Sequence, residues 1–233
     1  MCIRDSLIGG DPKGNTSSVK LTKSEYFVIE ADEYDTAFFD KQSKFMHYNP
    51  YILLINNIEF DHADIFHDLK DIIKSFHNLL RLIPSDGRII INKNDLNIKK
   101  LLKIGCWSKV ISLDTKEKNG DFNLIKGSEY KVIAKKKKYK LPNNLIGQHN
   151  YSNAVAAIAV CSQLKININK QIKSLESFKG VQKRMEFIGE FKGVKIYDDF
   201  AHHPTAIKAA ITAVMNKYKS QKLLTIFLSL IHI

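Results

Sequence analysis

The sequence predicts an α/β fold in which helices flank a mostly parallel sheet. Short apolar runs of strand length stand at 26–31, 51–57 and 88–92. Between the last two, residues 68–82 repeat their apolar positions every three or four residues, as a helix with one buried face does. This alternation of strand, helix and strand is typical of parallel sheets covered by helices.

The same patterns predict the next elements in chain order. Residues 7–22 are polar and contain several glycines, which favours a loop. Residues 84–87 turn the chain before the strand at 88–92. The later elements are a helix at 96–102, a strand at 110–113, hairpin strands within 122–141, an alanine-rich helix at 150–164 and a helix at 168–178.

A second α/β domain begins near residue 183. Two strand-like runs, 185–191 and 194–197, flank Lys192-Gly193, a pair suited to a hairpin turn. A helix follows over 204–218, with Pro204 in its first turn, where proline is favoured. Another strand is predicted to begin at 223–227.

The two ends of the chain, 1–6 and 228–233, are expected to be artefacts of sequencing-adapter DNA. The DNA word ATGTGTATAAGAGACAG encodes the first run up to the start of Ser6, and its reverse complement encodes the last run. Both ends are therefore excluded from fold reasoning, as added sequence should be. The predicted domains are then 7–182 and 183–227, and we expect them to be an internal piece of a longer gene.

The chain has 233 residues, 44% of which are hydrophobic, and this composition indicates a globular protein. That length is enough for one large core or two modest ones. No apolar run reaches the roughly 20 residues of a membrane span, so we expect no membrane insertion. Cys106 and Cys161 form neither a disulfide framework nor a metal-binding spacing, which fits a reducing cytoplasm.

The formal net charge of +12 comes mostly from lysine. It indicates either a lysine-rich solvated surface or the attraction of an anionic substrate such as a nucleotide. The run Lys135–Lys138 lacks the interleaved aromatic residues that stack on bases. We therefore expect no nucleic-acid partner.

Acidic motifs follow two of the predicted strands, at 30–35 and at 56–64. Their charged side chains are Glu30, Asp32, Glu33 and Asp35 in the first motif and Glu59, Asp61, His62 and Asp64 in the second. Ligands of open α/β sheets bind at the carboxyl ends of strands. Carboxylates with one imidazole suit a hard divalent cation such as Mg²⁺, which usually partners phosphates. The alternative interpretation is a pair of solvated acidic loops.

Three further motifs place polar side chains at helix or strand ends. Asn150 and Asn153 lie one turn apart where the alanine-rich helix begins, and they bind either a phosphate or base edge or simply cap the helix. Lys183-Arg184, at the domain boundary, has two interpretations: the guanidinium reaches a phosphate in a cleft between the domains, or the pair is an exposed basic surface feature. Residues 198–205 contain two acids and two histidines between a predicted strand and the N-terminus of a predicted helix. They form either a ligand-binding site, since a helix N-terminus favours anions, or a surface segment that caps the helix.

With these motifs, residues 7–227 resemble the Mur ligases, the ATP-dependent enzymes that form amide bonds in peptidoglycan synthesis. The resemblance implies a central ATP-binding domain with a mostly parallel sheet, followed by the start of a C-terminal Rossmann-like α/β domain. It also implies that a sugar-nucleotide domain, a first strand with its phosphate loop, and most of the third domain lie outside this segment. We therefore expect the segment alone to be catalytically inactive.

The resemblance further implies ATP and Mg²⁺ as cofactors and assigns roles to individual residues. Glu30 and His62 would hold Mg²⁺ and, together with Arg184, serve catalysis. The nucleotide would be bound by His149, Asn150, Asn153, Arg184 and Asp198, and the substrate by Asp32, Glu33, His202 and His203, with Asp199 near the cleft. His77 stands near the place of a carbamoylated lysine that several Mur ligases carry, and it either substitutes for that lysine or the branch does without one.

Within the family, residues 30–45 and 56–66 resemble the branch that joins UDP-N-acetylmuramate to the tripeptide L-Ala-γ-D-Glu-meso-diaminopimelate in peptidoglycan recycling. Tyr34 stands where the branch that adds L-alanine has Ser, and Ala201 stands where that branch favours Gly. The implied chemistry converts the sugar's carboxylate to an acyl phosphate, which the amine of the peptide attacks. We expect a cytoplasmic enzyme that is a monomer or a weak oligomer.

Three alternatives stay open at this point. The first is the same chemistry with L-alanine as the acceptor. The second is a folate-type polyglutamate ligase, against which the aromatic-rich stretch 38–45 argues. The third is a basic, non-catalytic nucleotide-binding module, which would explain the charge of +12 but leaves the acidic motifs unexplained.

Overall fold

The computed structural model describes residues 5–14, 17–36 and 40–227. In chain order its elements are β1 (Asp5–Leu7), β2 (Val19–Lys20), β3 (Phe27–Ile29), a 3-10 helix (Lys44–His47), β4 (Ile52–Ile55), α1 (Leu69–Leu82), β5 (Arg88–Asn92), α2 (Leu96–Ile104), β6 (Lys109–Asp114), β7 (Phe122–Ile125), β8 (Lys131–Ala134), β9 (Lys137–Lys140), α3 (Gln148–Gln163), α4 (Ile168–Glu176), β10 (Glu186–Phe191), β11 (Val194–Asp198) and α5 (Pro204–Lys217). Over these described ranges, no helix combines the length and the apolar character that crossing a membrane requires.

The described residues form two compact units. The larger unit comprises Ala31–Asn143 and Tyr151–Leu175. The smaller unit comprises the chain up to Glu30, the segment Asn144–Asn150, and the chain from Glu176 onwards. The ends at 1–6 and 228–233 fall almost entirely outside the described residues, and the two predicted domains stay a prediction.

A six-stranded sheet in the order β4-β5-β6-β7-β8-β9 forms the centre of the larger unit. β4 to β7 pair in parallel, and β8 and β9 turn back antiparallel. β5 lies at the middle of the core, since Ile89 and Ile90 have no exposed area and Ile91 is 4% exposed. A strand that is buried on both faces is expected to be a continuous apolar run. The predicted α/β fold with a mostly parallel sheet is confirmed.

Helices α1 and α2 add their apolar faces to the same core as β4 and β5. Each helix begins at an aspartate cap. Asp68 accepts the amides of Lys70 and Asp71, and Asp95 accepts those of Asn97 and Ile98. Such a cap stabilises a helix start by about 1 kcal/mol. The predicted starts of both helices agree with these caps.

A 3-10 helix that the sequence did not indicate lies in the larger unit. Its Phe45 is 1% exposed and packs against Phe76 of α1, with 5.2 Å between the ring centroids. This contact ties the segment after the first acidic motif to the hydrophobic core. Residues 37–39, which include two of the aromatic residues of the 38–45 stretch, lie outside the described residues.

In the smaller unit, β1 pairs antiparallel with β2 and parallel with β3, and β10 and β11 form the predicted hairpin. Two expectations were wrong. Residues 19–20 form β2 inside the predicted loop, because they pair with residues 6–7. Residues 223–227 form no strand, because none of the strands in the described ranges pairs with them and a lone extended segment leaves its backbone groups unpaired.

Asp114, the last residue of β6, is a fully buried acid in the larger unit. Its carboxylate accepts the backbone amides of Lys116, Glu117 and Asn119, and the Lys93 ammonium lies 3.5 Å away. Burial raises the pKa of Asp114, but the amide donors outweigh burial and hold the pKa well below its usual range. A buried carboxylate therefore organises the turn that follows β6.

Asp114→Asn is expected to lower the free energy of unfolding by about 2–4 kcal/mol, because an amide offers fewer acceptors and leaves buried N–H groups unpaired. Urea unfolding at neutral pH measures this loss. The depressed pKa means that the contribution of Asp114 is complete above its unfolded pKa of about 4 and is lost as pH falls through the folded pKa. The difference between wild type and variant should therefore shrink in acid.

The matched control is Glu117→Gln, which neutralises an exposed carboxylate in the same turn. Its free energy of unfolding should change by less than about 0.5 kcal/mol. Equal stability of the two variants at neutral pH would contradict the structural role of Asp114.

Candidate functional site

Two acidic loops of the larger unit meet through their side chains. Tyr34 of the first loop donates its hydroxyl to the Asp64 carboxylate of the second. Glu33 Oε1 of the first loop lies 3.3 Å from His62 Nε2 of the second. These four residues are called the clasp below. The sequence predicted polar groups at the ends of two strands, and the structure brings these four together.

The hydroxyl bond of the clasp changes the proton affinity of Tyr34 and Asp64. The hydrogen bond from Tyr34 holds the pKa of the Asp64 carboxyl below its usual range, and the same bond raises the pKa of the Tyr34 phenol. The His62 ring lies edge-on to the Tyr34 ring, with centroids 5.1 Å apart and an interplanar angle of 86°. Edge-to-face contact is a favoured arrangement of aromatic rings.

His62 has a left-handed backbone conformation, with φ at 55°. A residue other than glycine adopts this conformation at a cost of order 1–3 kcal/mol unless its surroundings hold it there. Asp61 accepts the His62 amide at 2.8 Å, and the His62 carbonyl accepts the amides of Ile65 and Phe66, both at 3.0 Å. Local bonds therefore fix the direction in which the imidazole leaves the chain.

The loop after β4 is anchored on helices α2 and α3. Ile58 is 2% exposed, its amide donates to Asp95 at 3.3 Å, and its carbonyl accepts from Asn97 at 2.8 Å. Asn56 donates its side-chain amide to Asn153 Oδ1 at 3.0 Å. The Asp95 carboxylate also caps α2, so the helix start and the loop share one set of bonds. Asn153 thus holds a neighbouring loop in this structure.

Lys44 is a site residue that the sequence analysis missed. Its ammonium lies 2.8 Å from Asp32 Oδ2 and 5.5 Å from the centre of the Tyr34 ring. The two charged side chains are 41% and 43% exposed, so this ion pair is screened by water and is easily exchanged. Partial burial raises the pKa of Asp32, but the Lys44 hydrogen bond and the Tyr34 amide outweigh it, and the net shift is downward.

Glu30, in the smaller unit, directly follows β3. Its carboxylate accepts the Gly9 amide at 2.7 Å, and its own amide donates to the Leu7 carbonyl at 2.9 Å. A Cβ atom at Gly9 would stand 3.3 Å from Glu30 Oε2, so a larger residue there would press on the carboxylate. The glycine-containing segment near the start of the chain therefore holds the carboxylate of Glu30.

The first turn of α3 belongs to the smaller unit. Gly147 has φ at 84°, and a Cβ there would come within 2.6 Å of Ala213 and 2.8 Å of the His149 ring, so glycine is required. The Asn150 side-chain amide donates to the Ile146 carbonyl at 2.8 Å. Asn150 thus bonds the local backbone here as a donor and not as a helix cap, and its role in nucleotide binding stays a prediction.

His149 is half-buried at this helix start. Burial lowers the pKa of its imidazole, while the Asp199 carboxylate opposes that shift with a smaller effect. A neutral imidazole has one donor and one acceptor nitrogen. His149 can therefore form hydrogen bonds to a polar ligand without carrying a charge at neutral pH.

The charged residues around the end of β11 have different settings. Asp199 accepts two backbone amides at 2.8 Å, one of them from the buried Met185, so it is structural. Asp198 and Arg184 are exposed, and the Arg184 guanidinium lies 5.4 Å from the centre of the Phe200 ring. Asp198 and Arg184 therefore present opposite charges to solvent on the smaller unit.

The paired histidines also differ. His203 is the N-cap of α5, and its Nδ1 accepts the Thr205 amide at 3.4 Å. His202 is exposed and lies edge-on to Phe200, with ring centroids 5.3 Å apart. The interpretation as a surface cap describes His203. His202 is the more exposed of the two, with its Nδ1 at 3.1 Å from the Phe200 carbonyl.

His77 lies on α1 and packs against Trp107, with ring centroids 5.8 Å apart. Its buried Nε2 has no hydrogen-bond partner among the described residues. Its neighbour Phe76 packs against Phe45 in the core. This is the setting of a packed ring, and a role for His77 in place of a modified lysine stays a prediction.

The donor set fits a Mg²⁺ ion that arrives with a phosphate ligand. In the ranges that the structure describes, no group of three His, Cys, Asp or Glu side chains is arranged to hold a metal. The two predicted ligands, Glu30 and His62, belong to different units. Mg²⁺ usually keeps several waters and takes one or two carboxylates plus phosphate oxygens. A nucleotide-borne Mg²⁺ accepts a carboxylate such as that of Glu30, and the roles of Glu30 and His62 as its ligands stay a prediction.

His149→Gln is expected to flatten the pH dependence of stability below about pH 7. Because burial lowers the pKa of folded His149, the unfolded chain binds more protons below its own pKa of about 6.5, and stability falls as pH falls through that value. Glutamine does not titrate and removes this slope. Chemical unfolding at a series of pH values measures it.

The control for this change is His67→Gln, at an exposed position of the larger unit. It should keep the slope of the wild-type protein. A His149→Gln variant with the wild-type slope would show that burial does not control this imidazole.

Comparison with known proteins identifies two domain types. Residues 14–161 match the Mur ligase middle domain, and residues 183–229 match the Mur ligase, glutamate ligase domain. The chain is 45% identical over 216 residues to the UDP-N-acetylmuramate--L-alanyl-gamma-D-glutamyl-meso-2,6-diaminoheptandioate ligase of Escherichia coli (strain K12), which covers 91% of this chain and 47% of that protein. It is 35% identical over 214 residues to the UDP-N-acetylmuramate--L-alanine ligase of Clostridium novyi (strain NT), which covers 90% of this chain and 45% of that protein.

A solved structure is similar as well. It is the UDP-N-acetylmuramate:L-alanyl-gamma-D-glutamyl-meso-diaminopimelate ligase from Neisseria meningitides, with a TM-score of 0.71 and 38% identity. The match covers 78% of this chain and 59% of that one. The chain spans about half the length of the curated relatives that it matches. The middle-domain match covers more than half of the chain, and the identity to the E. coli ligase is 45% over 91% of this chain, so the chain belongs to the Mur ligase family.

Proposed function

We propose that this chain is part of an ATP-dependent ligase that joins UDP-N-acetylmuramate to the tripeptide L-Ala-γ-D-Glu-meso-diaminopimelate. One observation carries the choice of acceptor: identity is 45% with the tripeptide ligase of E. coli but 35% with the L-alanine ligase of C. novyi. The second candidate acceptor is L-alanine. In this proposal residues 7–182 are the nucleotide-binding domain and residue 183 begins the acceptor-binding domain.

The chemistry explains why ATP is needed. A carboxylate does not react with an amine in neutral water, because its leaving group is poor. In the proposed reaction the sugar's carboxylate takes the γ-phosphoryl group of ATP, the amine of the tripeptide attacks the resulting acyl phosphate, and phosphate leaves. Bound Mg²⁺ would neutralise charge on the transferring phosphoryl group, and Glu30 and His62 would hold it.

The nucleotide side of the proposal assigns tasks to exposed or neutral groups. Arg184 is exposed and carries a guanidinium, which pairs with phosphate oxygens in a bidentate way. Asp198, also exposed, accepts hydrogen bonds from ribose hydroxyls. His149 stays neutral beside the adenine. Asn150 and Asn153 exchange their present bonds, to a backbone carbonyl and to a neighbouring side chain, for bonds to the base.

The substrate side of the proposal needs a cation. Asp32 and Glu33 would lie near the carboxylate of the sugar, and like charges repel. Lys44 supplies the opposite charge, since its ammonium has three donors and already contacts Asp32. On the smaller unit, His202 is the more open of the two histidines assigned to the substrate.

The first test follows phosphate release from ATP by the complete gene product, with UDP-N-acetylmuramate and either acceptor. Release that depends on the tripeptide, without release on L-alanine, is the expected result. Release with L-alanine alone would replace the tripeptide by L-alanine in the proposal. If neither acceptor caused phosphate release, the alternative hypothesis of a non-catalytic nucleotide-binding module would be favoured.

Glu30→Gln and His62→Asn are each expected to lower kcat by about 100-fold or more, because each removes a group that holds charge-neutralising Mg²⁺. The measurement is tripeptide-dependent phosphate release over a range of Mg²⁺ concentrations. His67→Asn, in an exposed position of the same segment, is the control and should keep wild-type kcat. Wild-type kcat in Glu30→Gln and His62→Asn at limiting Mg²⁺ would exclude both residues as ligands.

A further inference from the structure

Tyr34 contacts three charged or titratable groups of the larger unit at once. Its hydroxyl donates to Asp64, its ring meets the His62 imidazole edge-on, and the Lys44 ammonium lies over its face. Asp64 stands two residues after His62, so the hydroxyl bond closes the loop directly beyond the imidazole. Among the described contacts, Tyr34 is the clasp residue that links the second acidic loop to Lys44.

The imidazole of His62 needs support from outside its own loop. The backbone bonds of His62 fix where its side chain starts, but rotation about the bond to the ring is broad and roughly two-fold for histidine. Glu33 approaches Nε2 from one side at 3.3 Å, and the Tyr34 ring lies at 86° to the imidazole plane. Two contacts at different angles restrict that rotation.

The supporting ring is itself held in place at several points. The Asp64 bond fixes its hydroxyl end, and the backbone around it is bound as well, since the Tyr34 amide donates to Asp32 Oδ1 at 2.9 Å and its carbonyl accepts the Lys44 amide at 3.0 Å. Tyr34 is only partly buried, so this arrangement is not required to fill the core. A side chain that is held this firmly without being core is suited to orienting its neighbours.

We propose that Tyr34 is a positioning residue that holds the His62 imidazole and the Lys44 ammonium in the orientations that the ligase reaction uses. The proposal rests on the proposed function for its catalytic consequence. In it, Tyr34 touches neither ATP nor the acceptor. Tyr34 keeps one nitrogen of His62 directed at the Mg²⁺ ion that accompanies the phosphates. It also keeps the Lys44 ammonium beside Asp32, where the carboxylate of the sugar is proposed to bind.

The test uses the complete gene product with Tyr34→Phe, which removes only the hydroxyl, and Tyr34→Leu, which also removes the ring. Groups that orient a metal ligand typically change metal affinity or activity by about 10–100-fold. We expect kcat to fall about tenfold in Tyr34→Phe and about 100-fold in Tyr34→Leu, with KM for ATP within about twofold of wild type. Mn²⁺ binding in the presence of ADP, measured by electron paramagnetic resonance, should weaken in the same order.

Tyr51→Phe is a matched control. Tyr51 also donates its hydroxyl to an aspartate, Asp86, at 3.0 Å, and it lies in the same unit outside the clasp. This variant should keep wild-type kcat and Mn²⁺ affinity. Thermal unfolding of all variants separates a positioning role from a structural one, since Tyr34→Phe should unfold within a few degrees of Tyr51→Phe.

Two results would overturn the proposal. One is wild-type kcat and Mn²⁺ affinity in Tyr34→Phe and Tyr34→Leu. The other is a loss of kcat in Tyr34→Phe that parallels a loss of thermal stability and leaves Mn²⁺ affinity unchanged. Failure of the proposed function is recognised separately, because wild-type protein would then release no phosphate, while the Mn²⁺ measurement would still report on Tyr34.

Discussion

The parallel register between β4 and β5 is the constraint on which the larger unit depends. Ile52 to Ile55 pair one by one with Arg88 to Ile91, and the isoleucines of β5 are almost wholly buried. A slip of one residue would turn Leu53 and Ile55 away from the core, so burial holds the register. The register in turn fixes where β4 ends and where the loop with His62 leaves the sheet. Packing of apolar side chains thus determines where the second loop of the clasp begins.

Outside the sheet, carboxylates have two kinds of partner, backbone amides and side chains of another loop. Asp95, Asp114 and Asp199 accept backbone amides and so shape a helix start, a turn and a domain segment. Glu33 and Asp64 instead contact side chains of the other acidic loop. Within the acidic motifs themselves, Asp61 accepts a backbone amide, while Glu33 and Asp64 contact side chains of the other loop. The choice between ligand site and solvated loop stays a prediction.

The sequence predicted those features that local pattern controls. Helix α1 was placed to within a residue, because its apolar period and the Asp68 cap are both written in adjacent residues. The contacts of the clasp and of the neighbouring Asp32–Lys44 pair were not predictable. Tyr34 and Asp64 are 30 residues apart, Asp32 and Lys44 are 12 apart, and no local pattern marks either pair. The strand predicted at 223–227 failed for the converse reason: its apolar run is a local signal, but a strand exists only where a partner strand pairs with it.

The net charge of the chain and the charge of the clasp have opposite signs, and the contrast bears on what the site can bind. In the clasp and directly beside it, the carboxylates of Asp32, Glu33 and Asp64 outnumber the one ammonium, that of Lys44, so a bare phosphate or carboxylate would meet repulsion at close range. The +12 of the whole chain acts over distances that salt limits to about 8 Å, and it can raise the local concentration of an anion without cancelling contacts at the loop. Close binding of an anion therefore needs a cation between it and the acids. In the proposed ligase, Mg²⁺ on the phosphates and Lys44 at the sugar's carboxylate meet that need, and the acids then contribute by holding the cations and not the substrate.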